Sequence, residues 1–415
     1  MGEALEKAKL AKESSKYTAS LPTEVKNHAL ECIANELLLD MDDILAENAR
    51  DLEAGRQMGL TESVLDRIRL SDDRIREIAE AVRQLIQLGD PIGEVLETIK
   101  KENGLVICQK RVPLGVIGMI YEARPNVTVD AAALSLKTGN AVILRGSSSS
   151  IYSNIKLVSA IRRALIKSGI PENAVQLIED SDRETAKELF YLNEYLDVLI
   201  PRGGKKLIQT VLKESTVPVL ETGAGNCHIY IDDSADPEMA ENIVLNAKVQ
   251  RPSVCNAVET VLISDCWFSE NGSTLLEALR KNGVDLIGDK AVCKACQSVE
   301  HATEEDWHTE YLSLRVSLKI TKTIEEAVDH INKYGTKHSE AIITEDETRA
   351  QYFMDQVDAA AVYHNSSTRF TDGFEFGYGA EIGISTQKLH ARGPMGLKAL
   401  TSSKFFMYGS GQIRN

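Results

Sequence analysis

A single cysteine, Cys255, stands in Val249-Gln-Arg-Pro-Ser-Val-Cys-Asn-Ala-Val-Glu-Thr260, between a proline-interrupted loop and an apolar run that reads as a strand. A thiol in a globular chain is usually a small buried hydrophobe, so other residues must argue for chemistry. Asn126, in Tyr121-Glu-Ala-Arg-Pro-Asn-Val127, sits just past another strand-like run and carries an amide able to donate hydrogen bonds. A thiolate paired with an amide donor suits acyl transfer through a thioester. Cys255 would attack a carbonyl carbon and Asn126 would hold the oxyanion.

Two further segments suit a dinucleotide. In Arg145-Gly-Ser-Ser-Ser-Ser150, a cation and the hydroxyls of Ser147 and Ser148 precede a helix, with backbone N–H groups placed to receive phosphate or ribose oxygens. In Pro201-Arg-Gly-Gly-Lys-Lys-Leu207, Gly203 and Gly204 let the backbone approach a pyrophosphate at a helix start. Neither segment is a G-x-G-x-x-G fingerprint, and a pair of glycines serves a tight turn equally well.

The elements that must position these residues follow from periodicity. Residues 3 to about 90 repeat apolar positions at three- and four-residue intervals and are expected to be helical. Beyond 104, strands at 115–120, 141–144, 175–178, 197–200 and 217–220 alternate with helices at about 127–138, 151–168, 182–190 and 204–213. Repeated βα units make a parallel sheet whose ligands lie beyond the carboxyl ends of the strands. A second βα region runs from His228 to Asn365, with 221–225 as the expected hinge before it. The tail after Thr401 alternates aromatic and polar residues and reads as an edge strand for a partner subunit.

Composition narrows the class. A formal charge of −15 disfavours nucleic acid and anionic membranes. No apolar run is long enough to span a bilayer. The N-terminus has neither the apolar centre of a signal peptide nor a strong myristoylation pattern. Seven scattered cysteines argue against a disulfide framework and for a reducing, cytoplasmic setting. Cys293-x-x-Cys296 lacks the second pair a zinc site needs, so no metal is expected. Cys32 and Cys108 are expected in the core, and His338 in packing or substrate-loop support.

The ordered motifs together resemble the aldehyde dehydrogenase superfamily. They are Arg124-Pro-Asn126, Gly139-Asn-Ala-Val-Ile-Leu-Arg145, Glu221-Thr-Gly-Ala224 and Cys255, in that order. The resemblance implies an α/β fold: a Rossmann-type parallel-sheet cofactor domain (1–225, with 95–112 as oligomerisation arm), a second α/β catalytic domain (226–365) and a C-terminal return (366–415). The segments YEARPNVTVDAAALSLKTGNAVILRGS, QRPSVCNAVET and AVDHINKYGTKHSEAI look like the branch that reduces L-glutamate 5-phosphate to L-glutamate 5-semialdehyde through a cysteine thioester. NADPH is the cofactor implied. Arg145 replaces the usual lysine, and Ser148 stands where NAD-preferring relatives often carry a glutamate that would repel a 2′-phosphate.

By the same resemblance Glu310 matches the glutamate that holds the nicotinamide ribose. Glu221 matches a base that activates water in oxidative relatives, which leaves three roles open here: orienting nicotinamide, holding its loop, or deprotonating Cys255. Arg124 and Arg251 are the candidates for the substrate's anionic groups. A homo-oligomer is expected, with the kinase that makes the acyl phosphate as a possible partner. The rival readings are a hydrolytic NAD(P)-dependent aldehyde dehydrogenase and a non-catalytic relative.

Overall fold

The computed structural model describes residues 2–414, and the chain divides into two compact units. The first holds the chain up to Thr222, Gly377–Gly383 and the chain from Met395 onward; the second holds Gly223–Phe376 and Ile384–Pro394. The first begins with five helices: α1 (Glu3–Thr18), α2 (Thr23–Leu39), α3 (Met41–Gln57), α4 (Glu62–Ile68) and α5 (Asp72–Gln87). Helix α5 shows why the region is helical. Ile75, Ile78, Ala79, Val82 and Leu85 form one buried stripe, and Ser71 caps the start by accepting from Arg74 N.

A hairpin follows, β1 (Val95–Lys100) with β2 (Val106–Pro113), and then β3 (Val116–Tyr121), α6 (Asn126–Lys137), β4 (Ala141–Arg145), α7 (Ile151–Lys167), β5 (Val175–Leu177), α8 (Arg183–Glu188), β6 (Val198–Arg202) and α9 (Lys205–Glu214). The last four strands form a parallel sheet in the order β5-β4-β3-β6. The chain thus grows first to one side of β3 and then to the other, so the loops after β3 and β6 diverge at the switch point where open α/β sheets bind ligands. The strand expected at 217–220 is reduced to a single bridge, Leu199 to Val219. Pro218 has no N–H for a ladder and gives only its carbonyl, to Leu199 N at 2.8 Å.

The second unit runs β7 (Cys227–Ile231), α10 (Pro237–Val249), β8 (Val258–Ser264), α11 (Asp265–Lys281), β9 (Asp285–Gly288), α12 (Lys290–Ala295), β10 (Glu300–His301), β11 (Arg315–Thr321), α13 (Ile324–Tyr334), β12 (Ser339–Ile343), α14 (Glu347–Gln356) and β13 (Ala361–His364). These seven strands form one all-parallel sheet in the order β10-β9-β11-β8-β7-β12-β13. Strands β7 and β8 are buried along their whole length, as strands covered on both faces are, and two of the polar residues they carry, His228 and Glu259, are buried with partners. A short pair, β14 (Ile384–Ser385) with β15 (Gly393–Pro394), completes this unit.

The final strand, β16 (Thr401–Tyr408), lies at the edge of a three-stranded sheet in the order β1-β2-β16. It pairs antiparallel with β2 of its own chain over eight residues, from Thr401 opposite Pro113 to Tyr408 opposite Val106. The tail's alternation announced a half-exposed strand, but alternation carries no information about which edge receives it. Among the described residues no helix is long and apolar enough to cross a membrane.

Candidate active site

Cys255 lies in the turn between α10 and β8 and is half-buried. Its main chain is fixed from several directions. The carbonyl of Cys255 accepts from the Cys227 thiol at 3.1 Å. Gly225 packs so closely that a Cβ there would sit 1.5 Å from the same carbonyl oxygen, which no side chain could tolerate. The next residue, Asn256, donates its amide to the carbonyls of Arg369 (3.2 Å) and Thr371 (2.8 Å), and its own carbonyl accepts from Thr368 Oγ1 at 2.7 Å. The thiol is thus carried on a backbone with little freedom.

The support beneath it is charged and dry. Lys248 on α10 and Glu259 on β8 pair at 2.6 Å with both side chains fully buried. Burial pushes the carboxyl up and the amine down, and the mutual attraction opposes both shifts. The second oxygen of Glu259 accepts from Leu312 N at 3.1 Å, where the backbone takes a positive φ of 53°. Two residues earlier, Glu310 accepts from Gly225 N at 2.7 Å. One chain of contacts therefore runs from Lys248 through Glu259, the 310–312 segment and Gly225 to Cys255.

Two residues near Cys255 gave no signal in the sequence. Arg369 donates from Nε to Gln250 Oε1 at 2.9 Å, and burial, then the neighbouring Arg251, lower its pKa while Asp372 and Cys255 favour its charge. Cys227 is fully buried, and burial raises its thiol well above the ordinary range, so it is the inert neighbour. Cys32 and Cys108, expected in the core, are half-buried. His338 is buried and pushed down to about 4 by that burial, so it is neutral, with Nδ1 2.8 Å from Ser339 Oγ. Of the predicted residues, Arg251 is exposed and Glu310 half-buried. Among the described residues no cluster of three or more His, Cys, Asp or Glu forms a metal cage.

In the first unit, Asn126 opens α6 after a strained turn in which Ala123 has a positive φ of 39°. Its Nδ2 donates to Asp130 Oδ2 at 3.0 Å, one turn on. Burial raises the Asp130 carboxyl to about 6, opposed by the Asn126 hydrogen bond and the Arg202 charge. Arg124 is half-buried in the same turn, and the half-buried Glu221 has its carboxyl raised by burial.

The two proposed dinucleotide loops differ. Inside the first turn of α7 the backbone donors of Tyr152 and Ser153 are taken by Asp51 on α3, at 3.2 Å and 2.8 Å. The loop before it offers side chains. Ser148 is exposed, Ser147 lies 2.8 Å from Ser149 Oγ, and the Arg145 guanidinium caps the carbonyls of Ser181 (2.9 Å) and Asp182 (3.2 Å), its Nε buried without an acceptor. At the start of α9 the donors are accessible. Gly204 N meets the exposed carboxylate of Glu122 at 2.9 Å, reached across the switch point from the loop after β3. A carboxylate standing on that helix N-terminus shows that the position receives an anion, and a mobile surface side chain can yield it to a pyrophosphate. A Cβ on Gly203 would meet the same carboxylate at 2.6 Å. The residues present fit a dinucleotide.

The two parallel α/β units and the cysteine turn define the class. The aldehyde dehydrogenase family model matches residues 3–293, and the chain belongs to that family, as an oxidoreductase of the kind that uses a nicotinamide dinucleotide. It is 63% identical to γ-glutamyl phosphate reductase 1 of Bacillus licheniformis and 63% identical to γ-glutamyl phosphate reductase of Bacillus subtilis, each over 414 residues covering all of both chains. The solved structure of γ-glutamyl phosphate reductase from Thermotoga maritima superposes with a TM-score of 0.98 at 48% identity, again covering the whole of each chain.

Proposed function

We propose that this enzyme reduces L-glutamate 5-phosphate to L-glutamate 5-semialdehyde and phosphate with NADPH, through a thioester on Cys255, as the second step of proline synthesis from glutamate. The relatives named above support the substrate. The observation that carries the chemistry is Cys255 itself, a half-exposed thiol on a backbone locked by Gly225, Cys227 and Asn256.

The Cys255 thiolate adds to the carbonyl carbon of the acyl phosphate, forming a C–S bond. The tetrahedral centre then expels phosphate, which leaves with the C–O bonding pair. When bound, NADPH supplies the hydride that the thioester carbon must receive. Collapse of the resulting thiohemiacetal expels the thiolate and leaves the aldehyde. At each tetrahedral stage the side-chain amide of Asn126 and the backbone N–H of Cys255 hold the oxyanion, and removing one such donor costs about 10²–10³ in turnover. Asp130 takes one of the two amide hydrogens of Asn126 and orients the other.

Gly203 and Gly204 receive the pyrophosphate, while Arg145, Ser147 and Ser148 flank the adenosine ribose and its 2′-phosphate. Glu310 and Glu221 stand at the nicotinamide end, and Arg124 and Arg251 meet the anionic groups of the substrate. The enzyme acts in the cytoplasm as a homo-oligomer, receiving its substrate from the kinase that makes the acyl phosphate.

Cys255→Ser is the test: reduction of the acyl phosphate falls at least about 10³-fold while NADPH binding, followed by fluorescence, is retained. Turnover comparable with the parent enzyme would sink the thioester scheme. The hydrolytic alternative rests on Glu221, whose raised carboxyl suits a base for water. Semialdehyde oxidation that proceeds without inorganic phosphate would favour that alternative.

A further inference from the structure

We propose that Arg369 is the residue that binds the departing phosphate of the acyl-phosphate substrate. The inference rests on the function proposed above and extends it to a residue that no sequence signal marked. Arg369 lies far downstream of Cys255, in the segment after β13, yet the fold brings the two segments together through Asn256. That side chain, next in sequence to Cys255, donates to the carbonyl of Arg369 at 3.2 Å. Ser367 Oγ accepts from Arg369 N at 3.3 Å, and Thr368 Oγ1 donates to Asn256 O at 2.7 Å. The backbone of Arg369 and that of the nucleophile therefore move as one body.

The side chain is aimed as firmly as its backbone. Its Nε donates to Gln250 Oε1, immediately before Arg251 on the stretch leading to Cys255. That partner is a neutral amide, so the hydrogen bond fixes direction without cancelling charge. The guanidinium is half-buried; Arg251 repels it, while Asp372 and, less strongly, Cys255 favour its charge. A half-buried cation beside a second arginine, with the single carboxylate of Asp372 acting on it, gains further from a doubly charged phosphate. A planar guanidinium whose Nε is engaged still presents its Nη edge, a geometry that suits phosphate oxygens.

The chemistry selects which anion. In the acyl phosphate the phosphorus is one oxygen away from the carbon that Cys255 attacks, whereas the α-carboxylate lies at the far end of the glutamyl chain. A cation held to the nucleophile's own turn therefore faces the leaving group. When the C–O bond breaks, the bonding pair passes to phosphate and its charge rises. Arg369 then stabilises the negative charge that builds on the departing oxygen until a proton from solvent makes the product hydrogen phosphate, and in reverse it holds phosphate for attack on the thioester.

The experiment runs the full-length enzyme in the oxidative direction, with glutamate 5-semialdehyde and NADP+ fixed and inorganic phosphate varied. Arg369→Ala is expected to raise the KM for phosphate about 10–100-fold, the loss of one charged hydrogen-bonding partner, while the KM values for semialdehyde and NADP+ stay within about twofold. Arg369→Lys, which keeps the charge but loses the fork, recovers part of that loss. An unchanged phosphate KM overturns the inference. A rise confined to the semialdehyde KM does so too, since it would assign the guanidinium to the α-carboxylate. So would a fall in kcat alone with a displaced pH profile for Cys255 alkylation, which would make Arg369 a thiolate stabiliser. Should Arg369→Ala not fold, Gln250→Leu frees Nε and leaves the charge, and it is expected to raise the phosphate KM several-fold; no change there overturns the inference equally. If the parent enzyme itself oxidises semialdehyde without phosphate, the proposed function fails first, which is a distinguishable result.

Discussion

The loop at the start of α9 and the turn that carries Cys255 both depend on glycine beside a functional atom, yet they are built on opposite principles. Around Gly203 and Gly204 the partners are at the surface, and the anion standing on the helix N-terminus is an exposed side chain, Glu122. Around Cys255 the partners are buried: Gly225 against its carbonyl, Cys227 behind it, and the Lys248–Glu259 pair holding the adjoining segment. A cofactor must enter and leave at each turnover, so its donors have to be reachable and temporarily satisfied by something that can move. A covalent nucleophile gains from the reverse, because small displacements of a reacting atom cost large factors in rate. Buried ion pairs are poor sources of net stability but break at a high cost, which suits a support that must not shift.

The sharpest way to break this contrast is to add the same methyl group to both glycines. In Gly225→Ala the new Cβ meets backbone, the Cys255 carbonyl oxygen at 1.5 Å, so the turn itself must move. We expect loss of at least about 10²-fold in kcat, with a parallel fall in the rate of Cys255 alkylation. In Gly203→Ala the obstacle is the flexible, exposed carboxylate of Glu122 at 2.6 Å, which can swing aside. That variant should fold as the parent does and show its effect in the KM for NADPH, by about tenfold, the value of one weakened hydrogen bond to a charged group. Equal losses of kcat in the two variants would remove the distinction between a rigid and a yielding loop.

Asp130 offers an intermediate test, because it is a hidden titratable group that orients an amide. Its carboxyl is raised to about 6 in the folded chain, above the ordinary value of 3.8. Between those values the folded protein keeps a proton that the unfolded chain has released, so this group's contribution makes stability fall as pH rises through the window and level off above it. Asp130→Asn removes that dependence. The difference in Tm between variant and parent should therefore grow in the variant's favour from about pH 4 to about pH 6 and then hold steady. Turnover should fall several-fold above about pH 6, where Asn126 loses a charged acceptor for a neutral one, and the deficit should shrink below it, where the parent carboxyl is itself protonated. A Tm difference independent of pH would show that Asp130 titrates normally.

How much of this was readable from residues alone follows from how local each signal is. The strands around 117, 143 and 199 announced themselves as short all-apolar runs, and the cysteine and the Asn126 turn by their place beside such runs. The segment at 217–220 failed because one proline removes a ladder donor, a veto that counting apolar residues does not register. The edge strand β16 was legible as a strand and illegible in its partner. Glu122, Asp130, Lys248 and Arg369 went unnoticed for a shared reason. Charged residues are ordinarily read as solvated surface, and only the fold reveals which of them are turned inward or laid across a helix start. Asp51, which occupies the Tyr152 and Ser153 amides of α7, went unnoticed in the same way, since it sits in a helix far upstream.

The smallest expected effect concerns Glu122, and it separates two views of the carboxylate on Gly204 N. If Glu122 is a stand-in for the pyrophosphate, it competes with the cofactor, and Glu122→Ala should tighten NADPH binding by a few-fold as measured by fluorescence titration. The gain is limited because the helix start then exchanges one anion for water, and a helix N-terminus interacting with a single charge at the surface contributes only about 0.3–1 kcal/mol. If instead Glu122 is a structural cap that shapes the loop, the same variant weakens binding and lowers Tm. Salt provides an internal control. The competition is between exposed charges, so the advantage of the variant should shrink as ionic strength rises, whereas a loop that has lost its shape stays impaired in any buffer.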